Sequence, residues 1–218
     1  MKKSAKKLFI YVSGIFILSI GVNISKAAQM GISPVSAIPY AIELIWNIEL
    51  GKATLFFSIA LIALQMVLLG KNFKLIQLLQ LACIFLFSFF VTYTGSEHLL
   101  FWLPMPSFYI TKLLYLFVSI LIIGIGISFY LMTNYISLPA EGLMSAIVEL
   151  SKGKWKFANV KVVIDSSMVV VSAILSMFFL GQLKSVREGT VISALLIGEV
   201  VGFMFKRYKP IVTKWIEK

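Results

Sequence analysis

Leu138-Pro139-Ala140-Glu141-Gly142-Leu143-Met144-Ser145-Ala146-Ile147-Val148-Glu149-Leu150-Ser151 is the stretch on which the fold turns. It opens on a proline, which suits a first helical turn because that N–H has no intrahelical partner anyway. From Pro139 to Ser151 it has 13 residues, whereas a helix needs roughly 20 to cross the hydrocarbon core. A counterpart, Pro34–Leu50, follows Ser33, a good N-cap, and carries Glu43 and Glu49. In the second copy Leu138 is a poor cap, and Glu141 supplies negative charge near the helix start. Acids on a lipid-facing helix are costly. Both segments therefore read as short helices packed inside a bundle, re-entrant or lying at the interface.

Around them stand six longer apolar runs, at about 8–25, 53–69, 75–93, 109–132, 158–180 and 190–205. Lipid offers the backbone no hydrogen-bond partner, so segments that cross it are helices. The composition agrees: 60% of residues are apolar and 13% charged, about half the charged share of a soluble domain. The expected fold is an all-α membrane protein of six transmembrane helices in two three-helix repeats, 1–107 and 108–218. Each repeat carries an extra short Pro-started helix. Were the short helices to cross, there would be eight spans and parallel repeats. Charge does not separate the two topologies; the length of Pro139–Ser151 favours six spans and inverted repeats.

The repeats share an order of parts. Gly21-Val22-Asn23, Gly31-Ile32-Ser33-Pro34, Gly51-Lys52 and Leu69-Gly70 are answered by Gly126-Ile127-Ser128, Ser137-Leu138-Pro139, Gly153-Lys154 and Leu180-Gly181. The bland alternative is that glycine and proline punctuate any helical membrane protein. Gly14, Gly21, Gly124 and Gly126 fit close helix packing.

The net charge of +11 sits at the ends of the runs. Four lysines lie within the first seven residues, and five Lys or Arg lie in the tail 206–218. Both termini are expected to be cytoplasmic, in a multi-pass protein of the cell membrane. The loop 95–108 has Trp102 and no Lys or Arg, as an outer loop should. The N-terminus also begins as a signal peptide does, with Ser25-Lys26-Ala27-Ala28 as a cleavage-like stretch, but 8–24 matches the later spans in pattern. The basic balance is a lipid and topology signal, and no nucleic-acid partner is expected. One cysteine, Cys83, and one histidine, His98, exclude a His/Cys metal site and an intrachain disulfide. Neither a nucleotide loop nor a Ser/His/Asp set is present, so neither a cofactor nor an enzymatic activity is expected.

The second half resembles a known family. Gly189-Thr190-Val191-Ile192-Ser193-Ala194-Leu195-Leu196-Ile197-Gly198 resembles the G-T-x-x-x-A-L-L-x-G signature of the YczE/YyaS/YitT family of bacterial membrane proteins. Lys161-Val162-Val163-Ile164-Asp165 resembles that family's penultimate span, with an Asp early in it. Gly31-Ile32-Ser33-Pro34 resembles its turn after the first helix. Glu199 stands where the signature often continues with proline, and Val35-Ser36 where an aromatic and an Asp are usual. The resemblance implies a shared membrane fold and no settled activity.

The chemistry-bearing residues are few. Asp165 and Glu199 are intramembrane acids and candidates for proton or cation binding; the bland reading pairs Asp165 with Lys161 one turn earlier and bonds a protonated Glu199 to a hydroxyl. Ser33, Pro34, Ser36 and Glu43 at the first short helix, and Pro139 and Glu141 at the second, are candidates for substrate contact, since helix starts attract anions and broken helices line transporter sites. The bland reading is helix capping. Asn23 and Asn134, at the ends of spans, are weaker candidates of the same kind. A small secondary transporter for an unidentified solute or ion is the leading expectation. A non-transporting scaffold or accessory subunit, bound to a second copy or another membrane protein, is the alternative.

Overall fold

The computed structural model describes residues 3–152 and 154–217. Gly153 of the second Gly-Lys pair, and the terminal Lys2 and Lys218, lie outside the described residues. The regular structure is helical throughout: α1 Lys3–Ala27, α2 Pro34–Trp46, α3 Leu50–Leu69, α4 Leu79–Tyr93, α5 Tyr109–Met132, α6 Pro139–Leu150, α7 Phe157–Leu180 and α8 Glu188–Glu217. A 3₁₀ turn, Leu75–Leu78, leads into α4. Six of these segments are long and apolar enough to cross a membrane, and α2 and α6 are the two that are not. The chain is a multi-pass integral membrane protein.

Both short helices begin on their proline. At 13 and 12 residues and about 1.5 Å per residue, each spans about 20 Å, well under the hydrocarbon thickness. Several boundaries differ from the sequence reading, and two of the differences reassign residues. Glu49 does not belong to the first short helix: Asn47, at φ 53°, breaks the chain after Trp46, and Glu49 becomes the N-cap of α3. There it pairs with Lys52 at 3.3 Å, both side chains well exposed. The last helix does not stop at Phe205 but runs on to Glu217 through Pro210. The ring removes one backbone bond, and water can satisfy the freed carbonyl because 206–210 are exposed.

The helices form two compact units, each taking elements from both halves of the sequence. Unit 1 contains Met1–Ser33, Phe90–Tyr135 and Arg187–Lys218. Its axis is the packing of α1 on α5, with α8 against α5. Glycine sets that approach. A Cβ on Gly14 would lie 2.6 Å from the Tyr130 nitrogen, and one on Gly126 2.5 Å from the Leu18 nitrogen. One on Gly124 would collide with Val200 of α8. Without a hydrophobic drive between helices in lipid, such close backbone contact is what makes helix pairs stick.

Unit 2 contains Pro34–Phe89 and Ile136–Val186. Here α2 packs on α7 and α3, and α6 on α3 and α7. Ile38, Leu61, Ala140, Leu143 and Met168 form its apolar centre.

Candidate functional site

In unit 2 the first turns of both short helices point into that centre: Val35 and Ile38 come from α2, Ala140 and Leu143 from α6. Each first turn is also gripped by buried polar groups from a long helix of the opposite half. On α6, the Gln65 amide of α3 donates to the Pro139 carbonyl at 3.0 Å. Gln65 is paired with Gln80 of α4 in a reciprocal ring, each Nε2 3.2 Å from the other's Oε1. Both are buried, at 0% and 3% exposure. Gly142 leaves the space for them, since a Cβ there would lie 2.8 Å from both side chains.

On α2, the Ser172 hydroxyl of α7 donates to the Ala37 carbonyl at 2.7 Å. The Ser185 hydroxyl lies 2.8 Å from the Ser172 hydroxyl and donates to the Ser172 carbonyl at 3.2 Å. Ser176 accepts from the Lys184 N–H and donates to the Gln182 carbonyl, which folds the 181–187 connection back onto α7. None of these residues was a sequence candidate. A single polar residue in an apolar run is unremarkable, and its partner lies up to 135 positions away.

Asp165 lies on α7 beside this centre, next to Ile164 and three residues before Met168, both of which pack there. It is 8% exposed. Lys161, one turn earlier, donates to Oδ2. Oδ1 is buried with no hydrogen-bond partner among the described residues. Asp165 thus has the ion pair with Lys161 and, beside it, a carboxylate oxygen that no described residue uses. Lys161 is about two-fifths exposed, so the pair stands at a boundary rather than in a sealed interior. Glu43 and Glu141 are half-buried on α2 and α6, Ser36 is half-buried in the first turn of α2, and Pro34 and Pro139 are buried.

The remaining candidates belong to unit 1. Ser33 is buried at 8% exposure. Asn23 is committed to holding helices together: its Nδ2 donates to the carbonyls of Ser19 and Val91 and to the Thr94 hydroxyl, at 3.3, 2.8 and 2.8 Å. Asn134 is exposed at φ 49°, just beyond α5. Glu199 is exposed on α8, and Gly198 and Gly202 beside it face open space.

The start of α8 explains why Gly189 and Thr190 stand together. The Gly189 N–H donates to the Met30 carbonyl at 2.8 Å, and a Cβ on Gly189 would meet that oxygen at 2.5 Å. Gly31, at φ 88°, packs against Thr190 and Arg187, and the Arg187 guanidinium donates to the Gln29 carbonyl at 3.0 Å. These residues lock the turn after α1 onto the first turn of α8. Among the described residues no group of His, Cys, Asp or Glu is arranged to hold a metal ion.

A family model described as a family of unknown function, DUF6198, matches residues 5–206. An uncharacterised Bacillus subtilis (strain 168) protein, YyaS, is 26% identical over 149 residues, covering 67% of this chain and 70% of that protein. The match agrees with the resemblance carried by the last span. No solved structure matches.

Proposed function

The chain belongs to the DUF6198 family, whose description names no function, and on that premise we propose that it is a small secondary transporter of the cytoplasmic membrane. The observation that carries this reading is the meeting of α2 and α6 in unit 2. Two interrupted segments start inside one helical unit and press their first turns into one cluster. Paired broken helices are how many transporters build a midplane site. In this reading the cluster of Ile38, Ala140, Leu143, Leu61 and Met168 is a closed gate. Asp165 is the proton- or cation-binding acid at its edge, using the oxygen that Lys161 leaves open.

Within unit 2 the helix contacts support an internal duplication. Exchanging α2 with α6 and α3 with α7 turns the α2–α7 contact into α6–α3, and α2–α3 into α6–α7. Six spans make such repeats inverted, with both termini in the cytoplasm.

The test is flux into proteoliposomes, with proton entry followed by an internal pH dye and sodium entry by an internal sodium dye. Wild-type protein should conduct at least one of the two, and Asp165→Asn should abolish it. Wild-type flux undiminished by Asp165→Asn would remove the acid from the mechanism, and no flux of either ion in wild type would count against transport.

The exposed face of α8 favours a second reading, a subunit that binds another membrane helix. Gly198 and Gly202 are spaced as in the small-xxx-small pattern, and both are open. Glu199 between them is exposed within a membrane span, where an acid is costly unless a partner covers it. Disulfide trapping of Gly202→Cys in a Cys83→Ser background distinguishes self-association from a monomer.

A further inference from the structure

Unit 1 has a cavity of about 180 Å³ at the end where α1 begins and α5 and α8 finish. Lys3, Lys7, Thr133, Asn134, Thr213 and Glu217 supply its polar lining. Met132 and Ile216, both buried, give it an apolar floor. Neighbouring contacts hold the walls in place. The Lys6 ammonium donates to the Trp215 carbonyl at 3.2 Å and lies 5.2 Å from the centre of that indole. The Tyr135 hydroxyl donates to the Ser4 carbonyl at 3.2 Å, and Lys7 lies over the Tyr135 ring.

The charge is one-sided. Lys3 and Lys7 have no carboxylate within ion-pair distance among the described residues, and Lys206, Arg207, Lys209 and Lys214 are exposed along the same end of α8. Glu217 is the one acid in the lining. The Thr133 proton is used on the Tyr130 carbonyl at 2.6 Å, which leaves the two ammonium groups, the Asn134 amide and the Thr213 hydroxyl as donors facing the space. At about 30 Å³ per water, the volume holds roughly six waters' worth of ligand. Trp215 and Tyr135 beside it are the aromatics found at headgroup level.

The geometry points to a binding site for the phosphate of an anionic phospholipid headgroup. Basic pockets between the ends of transmembrane helices are a recognised place for such headgroups. The site lies in unit 1 and depends only on membrane insertion, so it stands or falls independently of transport.

The full chain, purified in mild detergent, would be offered equal amounts of phosphatidylglycerol and phosphatidylcholine and the retained lipid read by native mass spectrometry. Wild type should retain phosphatidylglycerol in preference, and Lys3→Gln/Lys7→Gln should lower that preference by about thirty-fold. Lys71→Gln/Lys74→Gln, exposed in the connection between α3 and α4, should leave it unchanged. An equal loss in both pairs would mean general surface charge and overturn the proposal. So would saturation by inorganic phosphate without any preference for phosphatidylglycerol, which would mark a site for a free anion. As a check needing no substitution, a photoactivatable phosphatidylglycerol headgroup should label wild-type peptides containing Lys3–Lys7 or Thr213–Glu217; labelling confined elsewhere would refute the assignment.

Discussion

Gln65 and Gln80 form a closed amide ring between α3 and α4, and the spare Gln65 proton reaches the Pro139 carbonyl at the start of α6. Replacing one member orphans the other. Gln65→Leu should cost about 1–3 kcal/mol, toward the lower end because interhelical bonds in lipid average less. The double variant Gln65→Leu/Gln80→Leu keeps volume and leaves no orphaned amide, so its loss should be smaller than the sum of the two single losses. Thermal unfolding of the four proteins in one detergent measures this. Strict additivity would show that the ring carries no coupling.

The glycine contacts of α1 and α5 make a contrasting pair of predictions. Gly126→Val forces side-chain atoms into the Leu18 backbone, and the two helices must separate. A loss of about 1–3 kcal/mol is expected, as for overpacking elsewhere. Gly198→Ala on α8 meets nothing within 4 Å and should leave the melting temperature of the isolated protein unchanged or slightly raised, since alanine is the better helix former. A similar loss in both variants would show that the close backbone approach at Gly126 is not what sets its cost.

Much of this fold was readable because its signals are local. Pro34 and Pro139 mark their helix starts to the residue, since a ring without an N–H fits one place in a helix. Tyr109–Met132 was likewise legible in both bounds. The sequence places Glu49 in the first short helix because the break depends on the left-handed Asn47, a conformation that asparagine permits but does not require. The long reach of α8 was missed because Pro210 and dense charge read as the end of a span. The clamps on α2 and α6 were not legible at all, since they join residues 74 and 135 positions apart. The sequence marks only Gln65, five residues before Gly70, and Ser176, which folds the 181–187 connection onto α7, five before Gly181, as polar residues at matching places in the two halves.

Asp165 and Lys161 give a prediction in which removing the cation differs from removing the acid. Lys161→Met leaves a buried carboxylate with no bonded partner among the described residues. Asp165→Asn leaves a lysine that is already two-fifths exposed and can turn to water. Lys161→Met should therefore destabilise the protein more than Asp165→Asn, and Asp165→Asn should rescue it in the double variant. Solvent screening of the lysine keeps the expected difference to about 1 kcal/mol. Equal melting temperatures across the series would mean that Asp165 is solvated without Lys161.

The start of α8 offers a test of the turn lock. Gly189→Ala puts a methyl group against the Met30 carbonyl, at the bond that ties the turn after α1 to α8. The expected result is faster tryptic cleavage after Lys26, at the end of α1, and a lower melting temperature, with Arg187→Gln giving a milder form by losing its bond to Gln29. If Gly189→Ala left cleavage and melting unchanged, the lock would not be holding the turn.

Membrane topology can be decided at the connection between α3 and α4. With six spans, α2 and α6 do not cross, so 70–74 lies on the same side as both termini and 95–108 on the opposite side. With eight spans both positions exchange, while the termini stay where they are, so the termini alone cannot discriminate. Basic residues do not discriminate either, as they divide the same way in both topologies. Helix length does favour one: α6 has 12 residues, about 18 Å of rise against roughly 30 Å of hydrocarbon. In a Cys83→Ser background, Asn72→Cys should resist an impermeant thiol reagent added to intact cells, and Ser107→Cys should react. Both positions are exposed on the protein, so failure to react reports the side of the membrane and not burial. With both termini cytoplasmic, as proposed, the reverse pattern would require α2 and α6 to span despite their length, and the inverted repeats would become parallel ones.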